Sequence, residues 1–116
     1  MANKRRAQPR VNASLKARLR LADGSTLETT QIANISLGGV FIQMDDPLPF
    51  GSEFDLEFSL PGPQRAIRCA GFVAWSTRTA PERKGPLGEG IGVRLTGIGI
   101  ADMRSLAEFI EDKLGS

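Results

Sequence analysis

A chain of 116 residues has room for one hydrophobic core and none for a second domain. Its hydrophobic content of 41% and charged content of 24% are ordinary for a globular protein, and no apolar run nears the ~20 residues that span a bilayer. No apolar segment follows the basic start, so no secretory signal is expected, and the single cysteine, Cys69, makes no internal disulfide and fits a reducing cytoplasm. The net charge of +2 is unevenly spread. Residues 1–22 hold Lys4, Arg5, Arg6, Arg10, Lys16, Arg18 and Arg20 with no acid, while the rest of the chain has eight basic residues against 13 acidic ones. A basic arm on a mildly acidic body suggests an anionic partner, although a solvated terminus gives the same pattern.

Residues 1–10 are polar and contain Pro9, so they read as a flexible arm, with the folded domain at 11–116. Leu15, Ala17, Leu19 and Leu21 then alternate with polar residues, the period of a strand with one buried face. Asp23-Gly24 signals a hairpin turn, and residues 26–33 form the return strand. The loop Ser36–Gly39 follows, then a short strand at 40–44 and a breaker-rich stretch from Asp46 to Gly51. Phe54, Leu56, Phe58 and Leu60 alternate with Glu53, Asp55, Glu57 and Ser59 as a fourth strand, turned by Pro61-Gly62-Pro63.

Residues 65–76 make a long fifth strand with Ile67, Cys69, Val73 and Trp75 on one face. Trp75 is accordingly read as core or rim packing rather than a stacking platform, and Cys69 as a small buried hydrophobe. Residues 77–89 read as a mobile loop, and Ile91, Val93 and Leu95 as a sixth strand. After Gly97 and Gly99 the period changes: Ile100, Met103, Leu106, Phe109, Ile110 and Leu114 fit an amphipathic helix with Asp102 in its first turn. The fold class is all-β with one helix, a six-stranded antiparallel β-barrel closed by a C-terminal α-helix.

Two segments carry candidate chemistry. Arg6 and Arg10 form an R-x-x-x-R spacing with Arg5 in front, and a guanidinium fork pairs with phosphate, bonds guanine O6 and N7, or stacks on a purine. Taken alone, such a spacing is equally a run of solvated charges. Asn34-Ile35-Ser36-Leu37-Gly38-Gly39 is an N-x-S-x-x-G pattern leading into the apolar Val40-Phe41-Ile42. Asn34 and Ser36 either bond a ligand or cap a turn, and Gly38 and Gly39 either make room for a base or supply positive φ. Asp45-Asp46 adjoins a turn without partners at metal-ligand spacing and reads as solvent-exposed.

The two motifs together resemble the signature of the PilZ domain, a receptor module for cyclic di-GMP. Gly71-Phe72-Val73-Ala74-Trp75, Gly90-Ile91-Gly92-Val93-Arg94-Leu95, the segment from Pro47 to Leu60 and the closing helix are similar to later blocks of the family, so the resemblance spans residues 4–114. It implies cyclic di-GMP as ligand, no metal, and a site of Arg5, Arg6, Arg10, Asn34, Ser36, Gly38 and Gly39. Asn34 stands where the family often has aspartate, which removes a charge that would hold an arginine.

The function expected is a non-catalytic receptor whose arm orders on binding cyclic di-GMP and so regulates a protein effector in motility, type IV pilus or exopolysaccharide machinery. The alternative is a degenerate PilZ domain acting as a ligand-independent adaptor. Catalysis is not expected: the chain has no histidine, no cysteine pair and no phosphate loop leading into a helix. DNA and RNA are not expected partners, because aromatic residues are not interleaved with the basic ones. The chain is expected to be a monomer or weak dimer without membrane insertion. Arg5 adds a third guanidinium to the arm, enough positive charge to favour a stacked pair of ligands over one.

Overall fold

The computed structural model describes residues 9–62 and 65–115. Six strands form where apolar and polar residues alternate: β1 (Val11–Leu21), β2 (Thr26–Ile35), β3 (Gly39–Gln43), β4 (Glu53–Leu60), β5 (Arg65–Ser76) and β6 (Gly90–Thr96). Helix α1 (Ile100–Leu114) follows. Every strand pairing is antiparallel, and the order β1-β2-β3-β6-β5-β4 closes through β1 and β4. Among the described strands closure leaves no edge open to pairing with another chain. This is the barrel with one helix that the sequence periods predict.

The inward face of β4 is Phe54, Leu56, Phe58 and Leu60, all buried, as its alternation requires. They meet Leu19 of β1, Ile32 and Ile35 of β2, Ile42 of β3, Ile67 and Val73 of β5, and Ile91 of β6 in one core. Burying each such side chain contributes about 1.5–3 kcal/mol. The β1–β2 turn forms because Gly24 accepts a φ of 90° and Asp23 Oδ1 accepts the Ser25 N–H at 2.9 Å and its hydroxyl at 2.6 Å. Those two bonds hold the Asp23 carboxyl below its usual range.

Helix α1 closes the core with Leu106 and Ile110, one turn apart and both buried, while Ile100 and Leu114 at its ends stay exposed. Asp102 Oδ2 accepts the Arg68 N–H at 3.2 Å and ties the helix start to β5. A carboxylate in the first turn also suits the helix dipole.

Of the four register shifts in the described strand pairings, the two on β5 and β2 nearest β3 and β6 set which residues face outward there. On β5 one extra residue, Ala74, lies between Val73, paired with Val93, and Trp75, paired with Gly92. On β2 the extra residue is Ala33, between Ile32, paired with Ile42, and Asn34, paired with Phe41. A bulge adds one residue and shifts the alternation beyond it. Val73 is therefore fully buried, whereas Trp75 leaves the face that strict alternation assigns it and is only half-buried. Cys69, expected to be buried, is only partly so and packs against the core.

Paired residues of antiparallel strands share a face. One outer row therefore runs across five strands as Asn12, Asn34, Phe41, Gly92 and Trp75. The next row runs through Gly39, Arg94 and Phe72. The candidate site is built on these two rows.

Candidate functional site

The turn from β2 to β3 brings Asn34, Ser36, Gly38 and Gly39 together, and the chain entering β1 brings Arg10 to them. Arg10 donates from a terminal guanidinium nitrogen to Asn34 Oδ1 at 2.6 Å. The pairing of Asn12 with Asn34 makes this contact, because Arg10 lies two residues before Asn12. Asn34 thus holds an arginine through its oxygen alone, without the charge an aspartate would bring. Arg5 and Arg6 lie outside the described residues.

Ser36 is buried, and its hydroxyl is engaged within the turn. Oγ donates to the Gly39 carbonyl at 3.2 Å and accepts the Gly39 N–H at 3.3 Å, while the Ser36 N–H bonds the same carbonyl at 2.8 Å. The Gly38 carbonyl accepts the Leu95 N–H at 3.1 Å, which fixes the turn to β6. Gly39 has no left-handed φ, contrary to one reading of the Gly38-Gly39 pair. Its reason is close approach: a Cβ there would sit 2.6 Å from the Val93 carbonyl oxygen.

A cavity of about 540 Å³ opens between this turn, the outer face of β3, β6 and β5, and the segment at 83–88. Phe41 and Trp75 stack on its floor with ring centroids 5.5 Å apart and planes 22° from parallel. The indole lies so close over Gly92 that any side chain there would overlap it. The Arg83 guanidinium sits 4.6 Å from the Trp75 ring centroid, and that of Arg94 sits 5.8 Å from the Phe72 centroid.

Arg83 is delivered by a segment expected to be mobile, which proves to be tied at several points. A 3-10 turn at Pro81–Arg83 forms within it, with Pro81 presetting φ. At its stem the Thr77 hydroxyl bonds Glu89, the Gly90 N–H bonds Thr77 Oγ1 at 3.1 Å, and Lys84 Nζ pairs with Glu89 at 3.2 Å. Gln43 Nε2 donates to the Leu87 carbonyl at 2.9 Å and links the segment to β3. The Thr77 hydroxyl first, and Lys84 second, hold the Glu89 carboxyl below its usual range.

Among the described residues three guanidiniums, Arg10, Arg83 and Arg94, line the cavity, and no carboxylate does. Arg18, although part of the basic N-terminal stretch, is balanced in an exposed ladder with Glu28 at 3.5 Å and Glu57 at 3.9 Å. Arg68 joins that ladder at 3.3 Å. Such exposed pairs contribute at most about 1 kcal/mol each, but they cancel charge on that face. The cavity instead gathers three guanidiniums beside two aromatic rings, with no carboxylate of the described residues in its lining. An arrangement of that kind suits a planar, anionic ligand.

Arg83 and Arg94 carry no signal as ligand residues in the sequence. Arg94 can be read as outward-facing from its place between Val93 and Leu95, but nothing local brings it to Arg10. Among the described residues no group of three or more His, Cys, Asp or Glu side chains assembles, and Asp45 and Asp46 are exposed. No described helix is long and apolar enough to cross a membrane.

No curated protein sequence matches the chain. Among solved structures it is similar to the Bacillus subtilis inhibitor of motility MotI/DgrA, with a TM-score of 0.76 and 23% identity over 98% of this chain and 54% of that one. It is similar also to Escherichia coli YcgR in complex with c-di-GMP, with a TM-score of 0.73 and 20% identity over 93% of this chain and 45% of that one. The PilZ domain of Escherichia coli YcgR with c-di-GMP gives a TM-score of 0.70 and 21% identity over 97% of this chain and 93% of that one. The chain spans about half the length of the first two proteins, and at these identities the likeness is one of fold. A family model described as PilZ domain matches residues 4–112. That match runs through the arginine motif, the β2–β3 turn, all six strands and most of α1, and the chain belongs to the PilZ domain family.

Proposed function

We propose that this chain is a non-catalytic receptor for cyclic di-GMP that orders its N-terminal arm on binding and thereby regulates a protein effector in a motility, pilus or exopolysaccharide pathway. The observation that carries the reading is the cavity itself: among the described residues, three arginines and no carboxylate surround a floor of stacked aromatic rings. A cyclic dinucleotide brings two phosphates and two purines, which these groups complement. Arg10 and Asn34 are proposed as direct contacts, with Arg5 and Arg6 closing from the arm. Gly38 and Gly39 line the cavity beside them, and Ser36 holds the turn that presents them. Two of the structural relatives are complexes with c-di-GMP, which supports the same ligand here.

Arm closure supplies the switch. Free, the guanidiniums of the arm repel one another; bound, they fold over the phosphates and form a new surface for the effector. The engagement of the Ser36 hydroxyl within its own turn favours one other reading, a ligand-independent adaptor. Calorimetric titration with cyclic di-GMP separates the two. Heat that saturates at a defined stoichiometry supports the receptor, and no heat at saturating concentrations replaces it with the adaptor.

A further inference from the structure

We propose that Arg83 is a specificity-determining residue that selects guanine over adenine at this site, an inference that rests on the cyclic di-GMP reading. Arg83 is exposed, and no described carboxylate pairs with it. Its guanidinium is spread over the only tryptophan of the chain, 4.6 Å from the ring centroid. Trp75 is itself positioned with care: the bulge at Ala74 turns it outward, Gly92 lets it lie flat against the sheet, and Phe41 stacks beside it. An indole held in this way is a platform for a flat, polarisable group.

A guanidinium and a purine want the same surface. When a base enters, it takes the ring that Arg83 covers, because stacking on an aromatic face is open to every base. Arg83 is displaced by the width of a stacked group and remains beside the base edge, since the Pro81–Arg83 turn is held through Thr77, Glu89, Lys84 and Gln43. Guanine offers O6 and N7 there, two acceptors that match the fork. Adenine offers N7 but places the N6 amino donor where O6 would be, against the N–H of the arginine. Stacking on Trp75 is thus indifferent to base identity, and discrimination falls to Arg83. The cation also shields the indole until a base arrives.

The test compares the full chain with Arg83→Ala and Arg83→Lys, titrated by calorimetry with cyclic di-GMP and with cyclic di-AMP, while Trp75 fluorescence reports entry of a base. Arg83→Ala is expected to lose about tenfold or more in affinity for cyclic di-GMP, to keep its affinity for cyclic di-AMP within about threefold, and still to show ligand-dependent change in Trp75 emission. Arg83→Lys should not restore the preference, because an ammonium lacks the fork. Unchanged thermal melting would show that the exposed substitution leaves the fold intact. Equal losses for the two ligands, or an unchanged preference, would overturn the assignment of Arg83 while leaving the receptor reading in place. Failure of the unaltered chain to bind either dinucleotide would overturn both.

Discussion

Gly39→Ala tests the reason given for the glycine in the β2–β3 turn. The added Cβ would stand 2.6 Å from the Val93 carbonyl oxygen and 3.6 Å from its carbon. Carbon–oxygen contacts are comfortable from about 3.3 Å, so β3 and β6 must separate by about 0.7 Å at this point. Backbone lies on both sides, and no side chain can rotate away. Overpacking of this kind costs about 1–3 kcal/mol. The bond from Leu95 N–H to the Gly38 carbonyl, which spans that gap, stretches with it, adding about 0.5–1.5 kcal/mol if it is lost. The total is about 1.5–4.5 kcal/mol, and at roughly 4–8 °C per kcal/mol for a small domain the Tm falls by at least about 6 °C. Thermal melts followed by circular dichroism measure it, with urea midpoints as a second scale. Gly85→Ala is the control: it has open space around it and no left-handed φ, and its Tm is expected to stay within a few degrees. If Gly39→Ala melts within about 2 °C of the unaltered chain, the close approach to Val93 is not why a glycine stands there.

Arg10→Ala is expected to weaken cyclic di-GMP binding by about 1.5–3 kcal/mol, the contribution of a charge-assisted hydrogen bond, with little change in Tm because the residue is exposed; calorimetry and a melt separate the two effects. Arg5→Leu should bring the stoichiometry from two ligands towards one while leaving some binding, and a ratio that does not move in the mutant removes Arg5 from the site. Leu106→Ala empties a fully buried position where α1 meets the core and should cost about 2–5 kcal/mol, read from denaturant midpoints. Burial first, and Asp102 second, push the Cys69 thiol up to about 11. The folded chain keeps a proton that the unfolded chain loses near 9.0, so this group's contribution to stability is complete below that pH and disappears as pH rises through about 11. Replacing Cys69 with alanine should flatten the fall in stability across that window; an equally steep fall in the mutant would show that another group causes it.

Strand and helix identity could be read from the chain because each depends on neighbours within a few residues. The alternation from Glu53 to Leu60 assigns Phe54, Leu56, Phe58 and Leu60 to the interior, and the change of period after Gly99 marks α1; both hold in the structure. Asp23-Gly24 marks its turn through the same local chemistry. Trp75 shows where this kind of reading stops. Two residues after Val73 it should share that face, yet the bulge at Ala74 moves it to the outer row beside Phe41 and Gly92. A bulge exists because β5 carries one residue more than β6 offers to pair with, and that mismatch is a property of two strands in a closed barrel, not of either alone.

The turn residues Asn34, Ser36, Gly38 and Gly39 were legible as a motif, since their pattern is local. Their neighbours Arg83 and Arg94 were not, because they come from a loop and a strand some 50 residues further along the chain. Only the strand order β1-β2-β3-β6-β5-β4 puts Arg94 beside Gly39, and only the anchored segment before β6 lays Arg83 over Trp75. The sequence by itself determined the elements, most of their buried faces and the concentration of basic residues near its start, all set by short-range periodicity and charge. Barrel closure decided which distant arginines share one cavity, because register around a closed sheet is fixed by all six strands at once.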